Sequence, residues 1–142
     1  MRHRTVADVH LLLVRDGRVL LGLRQNTGWG DGLWHIPAGH LDEDESLLAA
    51  AAREAFEELG LVLPQSAFTL AHLAHARYED GGRLHHFFAV DARGQVPRNT
   101  EPAKCGGLAW FALDALPENI VAYAAAALAA IGRGETFTCP GW

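Results

Sequence analysis

The chain has little cysteine, no surplus of positive charge and no long apolar run, and each shortage excludes a class of function. Its two cysteines, Cys105 and Cys139, stand at no metal-ligand or redox-motif spacing. A reduced pair in a cytoplasmic setting is expected. Lysine and arginine total 12 against 17 acidic residues, for a net charge of −5. A nucleic-acid binder favours a basic face, so no nucleic-acid polymer is expected as a partner. No segment approaches the roughly twenty apolar residues of a bilayer-crossing helix, and no membrane contact is expected. The start, MRHRTVADVHLLLVRDG, has the outline of a signal peptide. Asp8, His10 and Arg15 break its apolar run and no small-residue cleavage site follows, so a strand explains it better. There is no internal repeat and no linker-like stretch, and residues 1–142 are taken as a single domain. The glycine-rich loop TGWGDG at positions 27–32 lacks the Gly-Lys-Ser/Thr ending of a phosphate-cradling P-loop and reads as a mobile connection.

What remains is a patterned chain in which 49% of residues are apolar. Residues 5–14 and 18–24 read as strands joined by a turn at Asp16-Gly17. A short strand is expected over 33–37. A long hairpin, 68–78 and 84–90, turns around Asp80-Gly81-Gly82. Residues 93–104 form a polar loop with two prolines, and 107–112 another strand. Pro117 is expected to open a final alanine-rich helix running to about Ile131, with Gly132 as its stop. That helix, apolar almost all round, could be buried or form a homodimer face. Strands, a central helix and a closing helix imply an α/β sandwich.

The central stretch, Gly39 to Leu61, reads GHLDEDESLLAAAAREAFEELGL. Leu48, Ala51, Ala52, Ala55 and Leu59 recur at spacings of three and four and define one helical face. Asp44 or Ser46 can cap the helix start, and Gly60 can end it in a left-handed conformation. Glu54, Glu57 and Glu58 then stand close together beside the apolar face. Neighbouring carboxylates repel one another unless a positive group sits between them, and a divalent cation with oxygen ligands suits that role. A solvated acidic face is the other reading of the three glutamates alone.

The spacing of this stretch resembles the Nudix box. Gly39, Glu45, Arg53, Glu54, Glu57, Glu58 and Gly60 stand at the family's charged and glycine positions. Ala55 is the one departure, standing where a larger aliphatic is usual, and thinner packing is expected there. The resemblance implies an α/β/α sandwich with a mixed sheet and hydrolysis of a nucleoside diphosphate linked to another group. It implies Mg²⁺, with Mn²⁺ as the alternative, held by Glu54, Glu57, Glu58 and the carbonyl of Gly39. Glu57 and Glu58 are the candidate bases, and Glu101, from the later polar loop, a candidate base or extra ligand. Arg53 would pair with Glu45 and fix the loop against the helix, which leaves Glu45 near the metal. A nucleoside triphosphate, modified or not, cut to the monophosphate and pyrophosphate is the first choice of small-molecule substrate. ADP-ribose or another nucleoside-diphosphate derivative comes second. A non-catalytic nucleotide sensor, the reading from another class, is disfavoured because every box glutamate is present.

Arg24 and Lys104 are candidate phosphate contacts. Trp29, Trp34 and Phe87 could stack on a ring, with Phe87 favoured as core and Trp29 left open by its polar loop. Asn119 either reads a base edge or serves as a helix-start residue. Two histidine pairs, His72 with His75 and His85 with His86, suggest zinc. Residues one or three apart on a strand point to opposite faces, so neither pair can chelate an ion. His35 and His40 flank the start of the box, where a half-buried structural role is favoured.

Overall fold

The computed structural model describes residues 1–142. Nine strands and two α-helices follow in order. Strands β1 (Val6–Leu12), β2 (Val14–Arg15), β3 (Arg18–Arg24), β4 (Trp34–His35) and β5 (Ala38–His40) lead to helix α1 (Leu47–Leu59). After a 3-10 turn at Gln65–Ala67 come β6 (Phe68–Tyr78), β7 (Gly81–Val90), β8 (Cys105–Ala112), helix α2 (Ala122–Gly132) and β9 (Phe137–Thr138). One sheet has the order β5-β1-β7-β6-β9, and it is mixed: β1–β7 and β6–β9 run parallel, the other pairs antiparallel. A smaller antiparallel sheet is built on β3, which pairs with β2, β4 and β8.

Alternation along β1 sorts its side chains into two cores. Val9, Leu11 and Leu13 pack with Ala50, Ala51, Ala55 and Leu59 of α1. Leu12 packs with Phe87 and with Ala124, Ala127 and Leu128 of α2. The sheets therefore lie between the helices, an α/β/α sandwich. The expected first strand is divided at Leu13, where the chain leaves the mixed sheet and enters the smaller one. Phe87 is core, fully buried against α2.

Several boundaries differ from the sequence expectation. The last helix starts at Ala122, not at Pro117. Residues 119–121 are instead drawn out alongside β4: Asn119 accepts from the Trp34 amide at 2.8 Å, and the Val121 amide donates to Trp34 at 2.8 Å. Gly132 is the last helical residue, and Arg133 closes the end by donating to the Ala129 and Ala130 carbonyls. Ala124, Ala127, Leu128 and Ala130 bury one face of this helix. Leu48, placed on the buried face of α1 by its spacing, is exposed, and Ala50 is buried in its stead. Strands β5 and β9 were not foreseen. Two or three residues carry no period, and such strands exist only because a neighbouring edge offers hydrogen bonds.

Candidate active site

Ser46, not Asp44, caps α1; its hydroxyl accepts from the Ala49 amide at 3.1 Å. Gly60, at φ 67°, ends the helix, and the Leu61 amide reaches back to the Ala55 carbonyl. Between these ends, Glu54 and Glu58 turn toward the protein and Glu57 toward solvent. Glu54 is 8% exposed. Strand β5 brings Gly39 against Glu54 so closely that a Cβ there would overlap the carboxylate. Only glycine permits that approach.

Arg53 binds these acids together. Its Nε and one terminal nitrogen donate to the two oxygens of Glu45 at 2.7 and 3.0 Å. The other terminal nitrogen reaches Glu54 at 2.7 Å and Glu57 at 3.1 Å. The His40 carbonyl takes a further bond at 3.0 Å. The expected Arg53–Glu45 pair is therefore present, and the same guanidinium also contacts Glu54 and Glu57. Glu45 is held below the usual carboxyl range by its hydrogen bond from Arg53. Glu54 is raised by burial, which outweighs Arg53. Glu58 takes part in none of these ion pairs. Burial first, then the charges of Glu54 and Glu101, push its carboxyl well above the ordinary range.

Glu101 reaches the cluster because its loop completes α1. The last carbonyls of a helix lack internal partners. Here the Arg98 amide donates to the Leu59 carbonyl at 2.9 Å, and the Thr100 hydroxyl donates to the Glu57 carbonyl. Lys104 and Cys105 then donate their amides to the Glu101 carbonyl at 3.0 and 2.9 Å, turning the chain back into β8.

Glu54, Glu57, Glu58 and Glu101 form one wall of a cleft of about 840 Å³ that also reaches Arg24, Trp29, His35, Lys104 and Tyr123. The volume suits a small-molecule ligand. Arg24 stands at the end of β3; its Nε donates to the Trp29 carbonyl at 3.0 Å, and its guanidinium lies 3.7 Å from the centre of the Trp29 ring. The TGWGDG loop is pinned by this contact and by Thr27 and Gly28, whose amides donate to Asp31. Asn119 does not line the cleft; its amide donates to the Gly32 carbonyl at 3.0 Å and so holds the far end of the same loop. Trp34 packs edge-on against Phe111, away from the cleft wall.

The inner end of the cleft was not anticipated. It is lined by Asp8, His10, His35, Tyr78, His85 and Tyr123. His72, by contrast, is structural, held between the Glu135 carbonyl and the Thr138 hydroxyl at 2.9 Å each. One signal was present in the sequence. Asp8 and His10 interrupt an apolar strand at a spacing of two, which puts both on one face.

A NUDIX domain model matches residues 2–131. A mouse oxidized purine nucleoside triphosphate hydrolase is 32% identical over 111 residues, covering 75% of this chain and 66% of that protein. Phosphatase NudJ of Escherichia coli K12 is 49% identical over 70 residues, covering 49% of this chain and 42% of that protein. The chain thus spans less than two thirds of the length of either curated relative. Among solved structures, a MutT NUDIX hydrolase from Burkholderia pseudomallei superposes with a TM-score of 0.77 at 30% identity, covering 89% of this chain and 98% of that one. A MutT protein from Methanosarcina mazei has the same fold, with a TM-score of 0.78 at 21% identity, covering 94% and 96%.

Proposed function

Because the chain belongs to the Nudix family, we propose that it hydrolyses a diphosphate linkage in a nucleotide, with Mg²⁺ as its metal and Mn²⁺ as the substitute. The substrate we favour is a nucleoside triphosphate, cut to the monophosphate and pyrophosphate. The name of the mouse relative, 32% identical, supports that substrate class.

The observation that carries this reading is the state of Glu58. Arg53 pairs with Glu45, Glu54 and Glu57, yet Glu58, half-buried beside Glu54 and Glu101, has no cation paired to it. An arrangement that leaves such a carboxyl uncompensated fits a site completed by a hard divalent ion. The donors are all oxygen, as Mg²⁺ requires: Glu54, Glu57, Glu58 and the Gly39 carbonyl. When bound, the ion neutralises phosphate oxygens and makes water more acidic.

The chain's own groups do the rest. Glu57 or Glu58 takes the proton of the attacking water at a carboxylate oxygen, and Glu101 assists from its loop. Arg24 and Lys104 face the cleft and hold phosphate oxygens. Trp29, half-exposed beside Arg24, offers its ring to the base. Asn119 serves that contact indirectly, by fixing the loop that carries Trp29. A cytoplasmic setting agrees with Cys105 and Cys139 both being free thiols.

The test uses the purified chain with Mg²⁺ and a panel of normal and oxidised nucleoside triphosphates and ADP-ribose. Pyrophosphate release from a triphosphate, abolished in Glu58→Gln, is the expected result. Cleavage of ADP-ribose alone would move the substrate to the nucleoside-diphosphate class. Tight nucleotide binding without product would make the protein a sensor. Glu101→Gln with an unchanged rate would remove that residue from the site.

A further inference from the structure

The parallel pairing of β1 with β7 sets Asp8 level with His85, while His10 lies two residues along on the same face of β1. Three potential ligands from two strands thereby converge. His85 Nδ1 lies 2.8 and 3.0 Å from the two oxygens of Asp8, and His10 Nδ1 lies 3.1 Å from one of them. The three donor atoms fall within 4.8 Å of one another. All three residues are buried: Asp8 is 6% exposed, His85 2% and His10 not at all.

Two further observations point to an ion. His10 Nδ1 is buried and, despite its proximity to Asp8, is aligned for no hydrogen bond. The outer nitrogen of each imidazole is also occupied: His85 Nε2 by the Tyr78 hydroxyl at 2.9 Å, and His10 Nε2 by the Tyr123 hydroxyl at 2.8 Å. Metal-bound imidazoles are characteristically held in this way through the nitrogen that faces away from the metal. With an ion bound the protons would balance: each Nε2–H would donate to a tyrosine oxygen, both Nδ1 lone pairs would be left for the ion, and the Tyr123 O–H would donate onward to His35 Nε2, 3.0 Å away. The ring geometry agrees too. Two imidazoles bound tetrahedrally at about 2.0 Å should have centroids about 5 Å apart. Those of His10 and His85 are 5.3 Å apart with planes at 85°.

We propose that Asp8, His10 and His85 form a second divalent-metal site, selective for zinc, at the inner end of the cleft. Two nitrogens and one carboxylate suit a borderline transition ion, whereas the all-oxygen cluster on α1 suits magnesium. Because all three residues line the cleft, the ion keeps one position open for water or a ligand atom.

The test reads metal content, so its outcome is independent of turnover. The full chain is stripped with chelator and titrated with Zn²⁺ in saturating Mg²⁺. One equivalent of zinc is expected, retained by Glu58→Gln and lost by His85→Gln. Tyr123→Phe should weaken it by about 10–100-fold. Co²⁺ added to the unmodified chain should give the visible absorption of a low-coordinate nitrogen-ligated ion, a readout that needs no variant to fold. Zinc that stays with His85→Gln, disappears in Cys105→Ser, or fails to bind the unmodified chain would overturn the proposal.

Discussion

At the outer end of the cleft, Glu54, Glu57, Glu58 and Glu101 stand close together, and one guanidinium, Arg53, pairs with two of them and with Glu45 behind. At the inner end, a single carboxylate, Asp8, is served by two imidazoles. Burial pushes the Asp8 carboxyl up, but the His10 and His85 imidazoles set beside it more than reverse this and hold it far below the usual range. The outer end therefore has acids in excess of cations and opens to solvent at Glu57. The inner end has more nitrogen than acid, and burial holds its His10 and His35 imidazoles below their usual range. Both are polar clusters on apolar scaffolds. What separates them is which sign of charge is left over and how much water reaches it.

That contrast can be broken most sharply at Glu58. Glu58→Gln removes the uncompensated acid while keeping its shape. Turnover should fall by about a hundredfold or more, while the melting temperature stays level or rises as repulsion with Glu54 and Glu101 is relieved. Unfolding of this variant would show the outer cluster to be structural. Arg53→Ala should act in the opposite sense on stability. It strands Glu45, Glu54 and Glu57 without their shared donor, and about 1–2 kcal/mol of stability should be lost, as read by denaturant titration. Zinc binding at the inner end should not change.

The inner end can be probed by pH in chelator-treated protein. Burial is the main reason that His35 is held well below the usual imidazole range, with the His10 and Arg24 charges adding to it. A histidine with a lowered folded pKa binds its proton more readily when unfolded. Its contribution is thus complete above about pH 6.5 and is lost as the pH falls below that, by at most about 1.4 kcal/mol per pH unit. Melting temperature should drop between pH 7.5 and 5.5, and His35→Gln should flatten the slope. An unchanged slope would show that His35 contributes nothing to it. The smallest effect belongs to the closing end of α1. Gly60→Ala should cost about 1 kcal/mol because Gly60 sits at φ 67°. The same substitution also displaces the Arg98 side chain.

Much of the outer end was legible in the sequence. Gly39, Arg53, Glu54, Glu57 and Glu58 all meet there, because a helix converts spacings of three and four into neighbours. Glu101 was legible only as a suggestion. Its place depends on a loop whose backbone completes the carbonyls of α1. The place of Asn119 was not legible, because nothing local shows that residues 119–121 are drawn alongside β4. The inner end was overlooked for a related reason. The histidines were compared along their own strands, while the partners of His85 come from β1, seventy-five residues and more away.

The sequence by itself determined the helix that carries the glutamates, its closing glycine, and the alternation that divides the core between two faces. These are local matters, settled by the 3.6- and 2-residue periods of the backbone. Tertiary structure alone decided that Asp8 and His10 lie beside His85, that Glu101 comes up to the glutamates of α1, and that Glu58 is left without an ion-pair partner. Strand register and burial arise only when distant segments pack.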